Sequence, residues 1–163
     1  MASILFVCTA NRFRSPIAAL YFAREVVRHG DDDQITVSSA GTWAKSGMPA
    51  MPKAVQLGEG FDLDLGFHRS RVITERILSK SDLILVMEAG HKEAITHEFP
   101  GTQGRVFLLT EAVGKLAVDI PDPYGEKRAP PEDVIKEIVD LIDHGYEQIV
   151  ALAKTMEARR FLP

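Results

Sequence analysis

Ile4-Leu5-Phe6-Val7-Cys8-Thr9-Ala10-Asn11-Arg12-Phe13-Arg14-Ser15-Pro16 is the stretch from which the rest of the chain is read. Its first half is a run of large apolar residues, the pattern of an inner strand, and the residues after Arg14 read as a helix start. Ser15 is the expected N-cap and Pro16 fits the first helical position. A helix N-terminus presents free backbone N–H groups to an anion, and Arg14 adds a fixed positive fork. Cys8, the only cysteine of the chain, falls where the strand breaks into the loop. Thiols beside helix N-termini and arginines ionise readily, and the thiolate is the nucleophilic form. The pattern predicts a thiolate facing a bound phosphate. A buried structural cysteine at a strand end is the competing reading; Arg14 and Ser15 in the same loop favour the nucleophile.

Outside this segment, composition mainly excludes. At 163 residues, 45% hydrophobic and 26% charged, the chain suits one domain over residues 1–163 with one good core. A net charge of -4 argues against a nucleic-acid partner. The absence of a bilayer-length apolar run and of a signal-type N-terminus predicts no membrane insertion. A lone cysteine cannot form an internal disulfide, which suits a reducing, cytoplasmic setting.

Strands and helices alternate along the chain. A helix is expected from Ile17 to His29, ended by Gly30. A second strand follows over 35–39, then a Gly/Pro-rich loop over 41–52 and a short helix around Ala54. Another short helix is expected over 72–78, a central strand over 82–87 and a helix near 92–97. A fourth strand spans 105–109. A long helix after Pro131 carries Val134, Ile138, Leu141, Ile142 and Ile149 on one face. This order implies an α/β fold of three layers, a central four-stranded parallel sheet with helices on both faces and the phosphate loop after the first strand. Ligands of such sheets bind beyond the carboxyl ends of the strands, where Cys8 lies.

The motifs also carry a resemblance. Cys8-x5-Arg14-Ser15-Pro16 at the N-terminus resembles the phosphate loop of the low-molecular-weight protein tyrosine phosphatases. Ser39-Ala40-Gly41-Thr42, His68-Arg69-Ser70-Arg71, the strand from Asp82 to Glu88, and Pro121-Asp122-Pro123-Tyr124 resemble later segments of that family, in order, over nearly the whole chain. The resemblance implies a cofactor-free phosphatase acting on phosphotyrosine proteins and small aryl phosphates. In it Cys8 attacks phosphorus, Arg14 clamps two oxygens, and the backbone from Thr9 through Ala10, Asn11, Arg12, Phe13 and Arg14 to Ser15 completes the cradle. Asp122 protonates the leaving oxygen and later activates water. Ser15 donates to the thiolate, and Ser39 and His68 support Asn11 within the loop.

Each role has a plainer counterpart. Asp122 between prolines is also ordinary turn chemistry, and His68 is read as support rather than as a proton carrier. Asn11 suits left-handed backbone, which asparagine tolerates. Trp43 and Tyr124 are the expected aromatic substrate walls, which favour a phenyl ring. Inorganic phosphate or sulfate is the expected simple ligand, and a monomer or weak dimer the expected state. His91 and His97 lack the helical i, i+4 spacing of metal ligands, so no metal is expected.

The chain departs from the family pattern at three loop positions. Ala10 replaces a usual glycine, which strains the loop only if its φ is positive. Arg12 either adds charge at the pocket rim or points into solvent. Phe13 stands where the family often has a second cysteine, so an oxidised Cys8 has no intrachain partner. A single cysteine also excludes the disulfide relay of thioredoxin-coupled arsenate reductases. Protein-arginine phosphatases are the second enzymatic reading, with Arg12 opposing a cationic substrate. A non-catalytic phosphoprotein-binding module is the third.

Overall fold

β1 (Ala2–Cys8) is buried along its length apart from Ser3, as its apolar run predicts. In the computed structural model, which describes residues 1–126 and 128–162, it lies at the centre of a four-stranded sheet. It pairs in parallel with β2 (Ile35–Gly41) on one side and β3 (Leu83–Val86) on the other, and β3 pairs in parallel with β4 (Val106–Leu108). The order β2-β1-β3-β4 means that the connections leaving β1 and β2 run to opposite sides. The carboxyl end of β1 is therefore the switch point, where α/β sheets open a crevice.

Strand alternation divides the core. Ile4, Phe6, Cys8, Leu83 and Leu85 face α1 (Arg14–His29) and α6 (Pro131–Arg160), packing with Ile17, Phe22, Ile138, Ile142 and Ile149. Leu5, Val7, Ile84, Val86, Val106 and Leu108 face the opposite layer, where Leu78 and Ile95 come from α3 (Glu75–Ser79) and α4 (Ala89–Glu98). Both sheet faces are covered, the usual condition of a parallel sheet. α2 (Pro52–Glu59) follows the loop after β2, and the one-turn α5 (Leu109–Ala112) follows β4. No helix among the described residues is long and apolar enough to cross a membrane.

Three local expectations shift. α1 begins at Arg14, so Ser15 and Pro16 lie inside its first turn and Phe13 is the N-cap, with no side-chain capping bond. Proline is harmless there because first-turn N–H groups have no helical acceptor. The helix expected over 72–78 starts at Glu75 instead. Val72 bridges to Gly41, Ile73 N donates to Gly41 O, and Thr74 caps the helix by accepting from Ile77 N at 3.1 Å. The fourth strand ends at Leu108, because Leu109 already begins α5. At the other end of α1, Gly30 adopts φ 74 and closes the helix as expected.

Candidate active site

The loop from Cys8 to Phe13 is held by its carbonyls. Cys8 O accepts from Thr42 N, Thr9 O from Trp43 N, Arg12 O from Met51 N and Phe13 O from Ile17 N, at 2.8–3.2 Å. Asn11 O accepts from His68 Nε2 at 2.7 Å. Meanwhile none of the N–H groups of Thr9, Ala10, Asn11, Arg12 and Phe13 donates to a protein acceptor among the described residues. A loop whose carbonyls are occupied and whose successive N–H groups are free is suited to bind an anion, and the uncapped N-terminus of α1 continues it. α1 also has no acidic residue in its first turn to compete with a bound anion.

Close approach of β2 makes this loop possible. A Cβ on Gly41 would lie 2.4 Å from Thr9 O and 3.0 Å from Asn11 N. Only glycine lets the strand end reach the loop.

Asn11 is the hub. It is fully buried with φ 57, the left-handed region where asparagine is among the few tolerated residues. Its Nδ2 donates to Ser15 Oγ at 2.8 Å and to Ser39 Oγ at 2.9 Å, and its Oδ1 accepts from Arg71 N at 3.0 Å. Arg71 in turn donates from Nε to Ser39 O at 2.8 Å. Burial pushes the half-buried His68 ring below the ordinary histidine range, with the Asn11 carbonyl acting against it. A ring that stays neutral at physiological pH and donates one N–H fits a supporting role. Ala10 does not have positive φ, so the departure from glycine imposes no strain.

Arg14 is 2% exposed and anchored mainly through Nη1. Its Nη1 donates to Glu88 Oε2 at 2.7 Å and to Ile120 O at 2.8 Å, while Nη2 lies 3.7 Å from Asp122 Oδ2. Nη1 is thus held by a carboxylate just past β3 and by a carbonyl of the segment before Asp122. Asp122 Oδ1 accepts from Tyr124 N at 2.9 Å, which leaves Oδ2 as the oxygen turned toward Arg14. Turn chemistry and a reactive carboxyl are therefore compatible, since each uses a different oxygen.

Cys8, Ala10, Arg12, Phe13, Arg14, Met51, Asp122 and Tyr124 line one cleft. Phe13 and Tyr124 form an edge-to-face pair with ring centroids 5.9 Å apart, an aromatic wall beside Asp122. Arg12 faces the cleft with its Nε anchored on Pro49 O at 2.8 Å, so its stem does not trail into solvent. Trp43 lies outside that lining and is 87% exposed.

Glu88, His91 and Met51 were not legible as site residues. Glu88 ends the apolar run of β3 at the edge of the crevice, and strand-end position was the available signal. His91 follows it by three residues, the spacing of a reciprocal helix cap.

The family model described as low molecular weight phosphotyrosine protein phosphatase matches residues 3–159. A probable low molecular weight protein-tyrosine-phosphatase of Ralstonia nicotianae is 34% identical over 150 residues, spanning 92% of this chain and 97% of that protein. A protein-arginine-phosphatase of Bacillus subtilis is 33% identical over 157 residues, spanning 96% and 98%. The crystal structure of a low molecular weight protein tyrosine phosphatase from T. tengcongensis matches with a TM-score of 0.82 at 33% identity, covering 91% of this chain and 99% of that one.

Proposed function

Since the chain belongs to the low molecular weight phosphotyrosine protein phosphatase family, we propose that it hydrolyses phosphotyrosine in proteins, and small aryl phosphates, through a phosphocysteine intermediate. The observation that carries this reading is the loop itself. Its carbonyls are bonded to neighbouring segments, its N–H groups have no protein acceptor among the described residues, and Cys8 and Arg14 line the same cleft, which supports binding of a phosphoryl group there.

The two steps balance on this chain's own groups. In the first, Cys8 thiolate forms a P–S bond while the P–O bond to the phenol breaks, and protonated Asp122 gives its proton to the departing oxygen. In the second, water attacks phosphorus and gives a proton to the Asp122 carboxylate. The P–S bond breaks, the thiolate is restored, and inorganic phosphate leaves. Backbone N–H groups and the Arg14 fork stabilise charge on the three equatorial oxygens throughout. The Phe13–Tyr124 wall suits a flat phenyl ring.

A second reading is phosphoarginine hydrolysis, favoured by the similarity to the Bacillus subtilis enzyme. The cationic Arg12 on the cleft wall opposes it, because a guanidinium leaving group would be brought against a like charge. The loop, Asp122 and Arg14 serve either substrate, so the wall residues discriminate. The proposed setting is the cytoplasm, with inorganic phosphate or sulfate as simple loop ligand.

The test is turnover of a phosphotyrosine peptide, p-nitrophenyl phosphate and a phosphoarginine peptide by wild type and Cys8→Ser. Turnover of the first two, abolished by Cys8→Ser, is the expected result. Preference for phosphoarginine would install the second reading. Tight phosphopeptide binding without turnover would make the protein a binding module.

A further inference from the structure

His91 is a buried ring beside the site that the two steps do not use. It is 6% exposed, at the third residue of α4. Its Nδ1 lies 3.1 Å from Glu88 N. A backbone N–H can only donate, so Nδ1 is the bare nitrogen and the neutral ring carries its hydrogen on Nε2. Nε2 then donates to Thr9 Oγ1 at 2.8 Å. Protonating the ring would set Nδ1–H against Glu88 N–H, two donors face to face.

Thr9 connects the ring to Arg14. Its Oγ1 lies 3.5 Å from Arg14 Nη2, so both hydroxyl lone pairs face donors and its own proton is left for another acceptor. Glu88 closes the circuit. Its Oε2 accepts from Arg14 Nη1 at 2.7 Å and stands 3.5 Å from His91 Nε2. One imidazole thus joins three parts: the residue after Cys8, the start of α4, and the counter-ion of Arg14.

We infer that His91 is a positioning residue: in its neutral form, with the hydrogen on Nε2, it orients the Thr9 hydroxyl and, through Thr9 and the α4 cap, holds the Arg14 guanidinium in register with Cys8. The inference rests on the phosphatase reading above and adds to it a residue that touches no reacting atom. The charged and titratable groups that face the ring are Arg14, Glu88, Asp119 and Asp122. Burial and then Arg14 push its pKa down to about 4, which keeps the required form across neutral pH.

Glutamine separates this role from simple helix capping. Its amide can accept from Glu88 N–H with the oxygen and donate to Thr9 with the nitrogen. Glutamate can make the cap but presents only an acceptor to Thr9. Expected results are a loss of about three- to tenfold in kcat/KM for p-nitrophenyl phosphate in His91→Leu, and a similar loss in Thr9→Val. The double variant should be no worse than either single one. His91→Gln should recover most of the activity and His91→Glu should not. Ring ¹⁵N shifts of wild type should show the neutral Nε2–H tautomer at pH 6.

Additive losses, equal rescue by Glu and Gln, or a protonated or Nδ1–H ring at pH 6 would each overturn the inference. If His91→Leu does not fold, the Gln and Glu variants, each with and without Thr9→Val, decide the same question. If wild type turns over no phosphate ester, the phosphatase reading fails. Calorimetric affinity for inorganic phosphate across the variants then still decides for or against His91, together with the ring tautomer.

Discussion

The Ser15 hydroxyl stands 3.0 Å from the Cys8 sulfur. Asn11 Nδ2 donates to the same oxygen at 2.8 Å, and Ala40 O lies further off at 3.4 Å. Ser15's single proton is therefore directed to the sulfur when that sulfur is a thiolate. This matters most when the P–S bond breaks and charge returns to Cys8. A hydrogen bond to a charged group is worth about 1.5–3 kcal/mol, or roughly ten- to a hundredfold in rate. Ser15→Ala is expected to slow breakdown of the phosphoenzyme by that factor, and a pre-steady-state burst of p-nitrophenol should appear. An unchanged kcat with no burst would remove Ser15 from the second step.

Asp122 presents Oδ2 toward the cleft while Tyr124 N holds Oδ1. Asp122→Asn keeps the turn and removes the proton. It should cost about 10²–10⁴ in kcat for poor leaving groups such as tyrosine and far less for p-nitrophenol. The check is kcat across a series of phenyl phosphates. The variant should depend more steeply on the phenol's acidity than wild type, and parallel slopes would refute the acid role.

Asn11 combines a left-handed backbone with three side-chain bonds. Asn11→Ala loses all three and keeps the backbone strain, a destabilisation of about 3 kcal/mol or more. Asn11→Gly loses the bonds but relieves the strain, and should be milder by about 1 kcal/mol. Urea unfolding of the two variants measures the difference. Equal midpoints would mean that φ at this position is not what asparagine is there to satisfy.

His68 and His91 both have folded-state pKa values below the usual histidine value, mainly through burial. The unfolded chain therefore binds more protons than the native one between about pH 6.5 and, for His91, about 4. Stability from these rings is fully present above pH 6.5 and is lost as pH falls through that window. Urea midpoints measured at pH 7, 6 and 5 should fall progressively, and His91→Gln should flatten the slope. A midpoint unchanged from pH 7 to 5 would contradict the assignment.

Cys8 is the only cysteine, and Phe13 occupies the loop where a resolving thiol would stand. Peroxide should inactivate the enzyme, with recovery by thiols only while Cys8 is sulfenic acid or a mixed disulfide. Inactivation time courses with dithiothreitol added at intervals give the readout. Full recovery after prolonged peroxide would mean that something other than a second cysteine protects the sulfur.

What could be read along the chain was whatever a few neighbouring residues decide. The apolar run of β1, the glycine that closes α1 and the apolar face of α6 follow from local pattern, as does the parallel sheet they imply. So does the placing of Cys8 and Arg14 at the two ends of one loop, because only five residues lie between them. Asn11 was expected in left-handed backbone from its residue type alone, and has φ 57. Local pattern misled where two local preferences competed. Ser15 has the composition of an N-cap, yet its hydroxyl is drawn to Cys8 and Asn11, and the helix starts two residues earlier than that cap implies, at Arg14. Val72 and Ile73 were expected in a helix, but their backbone is taken up by Gly41 across the sheet edge. Tertiary structure alone decided which groups distant in sequence, up to 106 residues away, complete the loop: Gly41 at its floor, Glu88 and Ile120 on Arg14, and His91 on Thr9. Those contacts depend on strand order and on distances of a few ångströms, and neither leaves a periodic or compositional trace in the sequence. Arg12 and Trp43 show the same division. Their types announced a rim cation and an aromatic wall, and only the fold set Arg12 on Pro49 O at the cleft and left Trp43 facing outward.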